Sequence, residues 1–126
     1  MANAQSNGTK YKYATVDTNP GAAGYGTQEV SIKKLQKDLK IDRVYFSVRE
    51  YEADSSGASD TSTITVRLQY KCPGDAGWSD YVPLDGTSIA VGNRLAIRDT
   101  AADVVWRGWV KDGDYTSGKI TFGFDW

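Results

Sequence analysis

The sequence predicts an all-β protein, an antiparallel β-sandwich of jelly-roll-like type with a flexible N-terminal arm, and three observations carry that prediction. Short stretches with apolar residues at every second position recur along the chain, which is the period of a half-buried strand. Clusters of Gly, Pro, Asn and Asp interrupt them about every 8 to 12 residues, the spacing of sandwiches and barrels. Hardly any segment carries the helical period. An immunoglobulin-type sandwich comes next, but the single Cys72 leaves no cysteine pair of the kind that marks antibody-like domains.

The terminal stretch from Gly118 to Trp126 organises the rest. Ile120, Phe122, Phe124 and Trp126 alternate with Thr121, Gly123 and Asp125, so one face is apolar and the other polar. Ending on a large aromatic, it is expected to be tied into the sheet rather than to fray. At the other end, residues 1 to about 9 are small and polar without periodicity and read as a flexible arm. Tyr11, Tyr13 and Val16 then make a short edge strand with Lys10, Lys12 and Thr15 as polar partners. Asn19-Pro20-Gly21 and the glycines up to Gly26 form a loop. The domain reading is therefore an arm and loop over 1–26 and a β-sandwich over 27–126.

Glu29 to Lys40 can be read in two ways. Val30, Ile32, Leu35 and Leu39 lie loosely on one helical face, with Lys33, Lys34, Lys37 and Lys40 outside it. Val30 and Ile32 open the segment and no glycine closes it, so a strand that bends near Gln36 to Asp38 is the favoured expectation. Ile41 to Glu52 alternates through Val44, Phe46 and Val48, and Thr63 to Cys72 through Ile64, Val66, Leu68 and Tyr70. The two are expected to form an antiparallel hairpin across a serine-rich loop from Ala53 to Ser62. After the turn Pro73 to Gly77 come a short strand around Trp78 to Val82, a turn at Asp85-Gly86, and brief strands at Ser88 to Val91 and Arg94 to Asp99. Last before the terminal strand is Asp103 to Lys111. There Val104, Trp106 and Val110 share one face, and Val105, Arg107 and Trp109 share the other.

At 126 residues the chain makes one domain. A mean hydropathy of -0.50 and the lack of any apolar run near the roughly 20 residues of a span exclude a helical membrane protein. The N-terminus has no basic segment followed by an apolar core, so a secretory signal is not expected. Cys72 reads as a small inward-facing hydrophobe beside Pro73. With 15 Lys+Arg against 16 Asp+Glu there is no positive field for a phosphate backbone, and nucleic acid is not an expected partner. Histidine is absent, which removes the commonest general base and the usual transition-metal ligands.

What remains for chemistry is weak. Asp112-Gly-Asp114-Tyr-Thr116-Ser-Gly118 looks like the start of a calcium loop, but its glycine falls one place late and its twelfth position is Gly123. A hairpin loop is the better reading. Asp54 with Asp60, and Asp99 with Asp103, are the carboxylate pairs that acid and base work on a glycosidic bond would need. Neither an enzyme nor a cofactor is expected. The aromatics are the stronger signal. Trp78, Tyr81 and Trp109 are candidates to stack on sugar rings or to anchor a protein interface, and Tyr11 and Tyr13 are candidates because their strand could pair with a neighbour's sheet edge.

The phrases Leu68-Gln-Tyr-Lys-Cys-Pro-Gly-Asp-Ala-Gly-Trp78-Ser-Asp-Tyr81, Val91-Gly-Asn-Arg-Leu-Ala-Ile-Arg98, Trp106-Arg-Gly-Trp-Val-Lys-Asp-Gly-Asp-Tyr-Thr-Ser117 and Gly123-Phe-Asp-Trp126 resemble small virion structural proteins of tailed bacteriophages, of the head decoration, cement or head-fibre type. The likeness covers about the last two-thirds of the chain. It implies a protein made in the host cytoplasm and located on the virion, on the capsid surface, with the major capsid protein as partner and a homotrimer as its form. The second expectation is a carbohydrate-binding module of a phage fibre or adhesion device, with surface glycans as the ligand.

Overall fold

The apolar alternation puts its side chains where the period requires. Val44, Phe46, Val48, Ile120, Phe122 and Phe124 are all fully buried. A computed structural model describes residues 3–50, 64–81, 94–97, 103–116 and 118–126. The serine-rich loop with Asp54 and Asp60, the turn at Asp85-Gly86, the strand expected at 88–91, Gly92-Asn93 and Asp99 lie outside the described residues. Among the described residues, nine strands and one helix follow in the order β1 (Ala4–Asn7), β2 (Tyr11–Val16), β3 (Tyr25–Gly26), α1 (Ile32–Leu39), β4 (Val44–Glu50), β5 (Arg67–Lys71), β6 (Ser79–Asp80), β7 (Arg94–Ile97), β8 (Val105–Val110) and β9 (Ile120–Asp125).

The pairings are nested. β2 pairs with β9, β3 with β8, β4 with β7 and β5 with β6, every one antiparallel. The chain is thus a long ribbon doubled back on itself, and its closed end is the β5–β6 hairpin. There the turn is held by Asp75 N–H donating to Cys72 O at 3.0 Å and Cys72 N–H donating to Asp75 Oδ2 at 2.9 Å. Two further antiparallel ladders, β4 with β9 and β5 with β8, roll that ribbon into two sheets of order β1-β2-β9-β4-β7 and β3-β8-β5-β6. With β1 set aside, these are the strand orders of a jelly roll. β9 sits in the middle of the larger sheet, and Trp126 just beyond it is tied in by donating its N–H to Lys10 O at 3.0 Å.

The core lies between the sheets. Gly108 on β8 faces inward, and a Cβ there would meet the Phe122 and Phe46 rings at 2.7 and 2.8 Å. Phe46 and Phe124 pack at 5.0 Å between centroids. The rings therefore lie directly on the β8 backbone, and only glycine lets the sheets come this close.

Four expectations need correction. Val44–Glu50 and Arg67–Lys71 are not a hairpin, because they belong to different sheets. β4 has β7 and β9 on its two sides and β5 has β6 and β8, so neither has an edge left for the other. Residues 32–39 are a helix; the strand reading holds only at Val30, which bridges Trp106. Ile32 is fully buried, Leu35 packs on the core, and Lys33, Lys34, Lys37 and Lys40 face water. The missing terminal glycine is replaced by Lys40 itself in a left-handed conformation, φ 54° and ψ 41°.

The arm is the third correction. Residues 4–7, expected to be flexible, pair with β2 from Ala4↔Thr15 to Asn7↔Lys12 although all four side chains are exposed. Polar anchors do the work of apolar ones. Asn3 Oδ1 accepts from the N–H groups of Asp17 and Thr18, and Gln5 Nε2 donates to Gly26 O at 2.8 Å. Fourth, β2 is consequently no edge strand. With β1 and β9 on its two sides, it has no free side with which to pair a neighbour's sheet.

Phe122→Ala is expected to cost about 3–5 kcal/mol by leaving a cavity, and Gly108→Val about 3 kcal/mol by overpacking the sheet interface. Both are read from the urea midpoint. An unchanged midpoint for Gly108→Val would mean that the two sheets do not meet at this glycine.

Candidate functional site

Because β8 alternates, Trp106, Gly108 and Val110 face the core, whereas Arg107 and Trp109 stand on the outer face of the four-stranded sheet. The ladder sets Arg67 of β5 opposite Trp109 and Gln69 opposite Arg107, and β6 adds Asp80 opposite Gln69. Trp78, just before β6, completes the group. The Arg107 guanidinium lies 3.6 Å from the Trp109 ring centre and 4.2 Å from that of Trp78, so one cation is shared by two indoles.

Each member of this face is held by the next. Arg107 Nε donates to Gln69 Oε1 at 2.9 Å, and Gln69 Nε2 donates to Asp80 Oδ1 at 3.0 Å. Asp80 Oδ2 accepts from Arg67 Nη1 at 2.8 Å, while Arg67 Nε and Nη2 grip both oxygens of Asp114, each at 2.8 Å. Asp114 also accepts from the Lys111 N–H. The hydrogen bond to Asp114 raises the Arg67 pKa further above its usual value, against the opposing effect of burial. Arg107 behaves in the opposite way. Burial pushes it down to about 10, and the charge of Glu29 only partly offsets that.

The loop before β3 shapes the other side of Trp109. A Cβ on Gly24 would come within 2.5 Å of the indole nitrogen, and one on Gly26 within 2.6 Å of its Cε3. Gly24 moreover has φ +73°, which a side chain tolerates poorly. The glycines that break up the sequence here make the seat of Trp109.

The five aromatic candidates separate into three places. Trp78 and Trp109 come together through Arg107. Tyr81 does not join them, because it turns to the core side and meets Trp106 edge-on at 5.3 Å, beside Tyr70 at 5.6 Å from the same ring. Tyr11 and Tyr13 lie on the outer face of the five-stranded sheet, stacked at 5.3 Å, with Tyr13 Oη donating to Asp125 Oδ2 at 2.8 Å. Asp125 also pairs with Arg94, whose guanidinium covers the Tyr45 ring at 3.9 Å. Gly123 makes room there, since a Cβ would strike Lys12 O at 2.2 Å.

Sequence reasoning placed Arg107 on the face of Trp109 without giving it a role, and missed Gln69, Asp80, Arg67 and Asp114 as one network. The alternation showed which face each residue takes, but not which strands lie side by side. In the loop read as a calcium start, Asp114 spends its carboxylate on Arg67 and on the turn. Among the described residues, no group of three or more acidic or cysteine side chains could hold a metal ion. Cys72 is a half-buried free thiol packed against the core.

No protein-family model matches the chain, and no curated protein or solved structure matches it significantly.

The Arg67–Asp114 and Arg94–Asp125 pairs should differ in weight. Asp114→Ala leaves Arg67 short of its bidentate partner and is expected to cost about 2–3 kcal/mol, after allowing for partial solvent screening. Arg94→Ala removes a pair whose arginine is half exposed and is expected to cost under about 1 kcal/mol. Thermal unfolding of the two variants checks this order, and equal losses would contradict it.

Proposed function

We propose that the chain is a non-enzymatic structural protein of a tailed-phage virion, a head decoration or cement protein. In this reading it binds the outer capsid surface as a homotrimer, takes the major capsid protein as its partner, and stabilises the head. The observation that carries the proposal is the Trp78–Arg107–Trp109 stack, partly exposed on a sheet face and locked by hydrogen bonds. Trp and Arg held rigidly at a surface are the composition of an interface hot spot. Asp80 and Asp114 on that face are committed to Arg67, which suits a face that works by contact. Jelly rolls serve capsid and lectin domains alike, so the fold supports surface binding without choosing the partner. The choice of a virion rests on the resemblance over the last two-thirds of the chain.

The second reading, a carbohydrate-binding module of a fibre or adhesion device, is favoured by the placing of Trp78 and Trp109 on one face with Gln69 and Asp80 beside them. It loses Tyr81 as a stacking residue, and it must share both indoles with Arg107.

The test is light-scattering mass on the purified protein, followed by cosedimentation with undecorated heads. A trimer that cosediments saturably is expected. A monomer left in the supernatant would overturn the decoration reading, and saturable binding on a glycan array would then establish the module.

A further inference from the structure

Arg107 stands apart from the other arginines whose side chains are described. Arg43 pairs with Asp42, Arg67 with Asp80 and Asp114, and Arg94 with Asp125. Arg107 has no carboxylate partner among the described residues; Glu29 acts on it through its charge without forming an ion pair. Its Nε is tied to Gln69, and its two terminal nitrogens carry no hydrogen bond among the described residues. The indoles of Trp109 and Trp78 lie against the guanidinium, with their ring centres 3.6 and 4.2 Å from its carbon. A guanidinium that is partly out of water with no carboxylate in contact bears a cost of desolvation that the more distant charge of Glu29 offsets only in part.

We propose that Arg107 anchors a carboxylate-binding site, which takes the Asp or Glu side chain of a protein partner end-on through Nη1 and Nη2 between the walls of Trp78 and Trp109. The proposal rests on the assembly role above and names the chemistry that the partner presents. A planar fork with two parallel donors matches a carboxylate in a way that a point charge does not. Because Nε is held by Gln69 and the ring planes hold the rest, little side-chain freedom remains to be lost on binding. A pyranose would need an open indole face, and the guanidinium already lies over both rings. A phosphate dianion is disfavoured by Asp80, whose carboxylate is bonded to the same Gln69.

The test uses the full chain and needs no variant for its first reading. The indole N–H signals of Trp78 and Trp109 and the Arg107 Nε–H signal are followed by NMR against an acetylated hexaglutamate peptide, an oligoglucuronate and inorganic phosphate, at equal ionic strength. Saturable shifts of these signals with the peptide are expected, with binding weakened about tenfold in Arg107→Lys, a variant checked for folding by near-ultraviolet circular dichroism. Absence of shifts with the peptide overturns the proposal, as does equal affinity in Arg107→Lys. Tighter binding of glucuronate or phosphate than of the peptide overturns the choice of a protein carboxylate.

Cosedimentation separates the two levels. If wild type and Arg107→Lys bind heads equally, the site proposal fails and the decoration reading stands. If wild type ignores heads yet binds the peptide through Arg107, the decoration reading fails and the carboxylate site stands.

Discussion

The two sheets meet where Phe46 and Phe122 rest on the backbone of β8 at Gly108, and the other parts of the molecule follow from that contact. Phe122 belongs to β9, the middle strand of the larger sheet, and Phe46 to its neighbour β4. Pressing both rings onto a residue without a side chain brings the sheets close and leaves no inward space on β8 at this point. The flanking inward residues, Trp106 and Val110, are then buried at either side. By the strict alternation of a strand, Arg107 and Trp109 are forced outward by the same placement. The outer face is thus a consequence of how the inner one packs.

That outer face is an ordered polar surface and not a merely solvated one. From Asp114 through Arg67, Asp80 and Gln69 to Arg107, each side chain is fixed by the next. Partly buried charges are costly unless matched, and the network matches them up to its last member. Arg67 is doubly paired. Arg107 is held by stacking on two indoles and by the hydrogen bond to Gln69, and among the described residues it has no ion-pair partner.

The opposite face follows the same logic with different residues. Gly123 lies under Tyr13, Tyr13 reaches Asp125, and Asp125 joins Arg94, which covers Tyr45. β1 extends this sheet by main-chain pairing with almost no apolar contribution. Ladder hydrogen bonds and the side chains of Asn3 and Gln5 are enough to hold it because β2 is already anchored to β9.

Period-two alternation was enough to read β4, β8 and β9, the burial of their apolar faces, the placing of Trp109 on the face opposite Trp106 and the all-β class, since alternation is a local property of the backbone; whether that second face of β8 is covered or open was left undecided. It also identified Tyr11 and Tyr13 as strand residues. Segments whose structure rests on distant partners were not legible. β1 has no apolar period, α1 ends on a left-handed lysine where a glycine was looked for, and β4 and β5 lie in different sheets because each is taken by strands remote in sequence. The site divides along the same line. The sequence by itself determined that Arg107 and Trp109 share a face. Only the tertiary structure decided that Trp78 joins them while Tyr81 turns inward, because the register of β5 between β6 and β8 sets which side chains become neighbours, and register is a property of paired strands and not of any one of them.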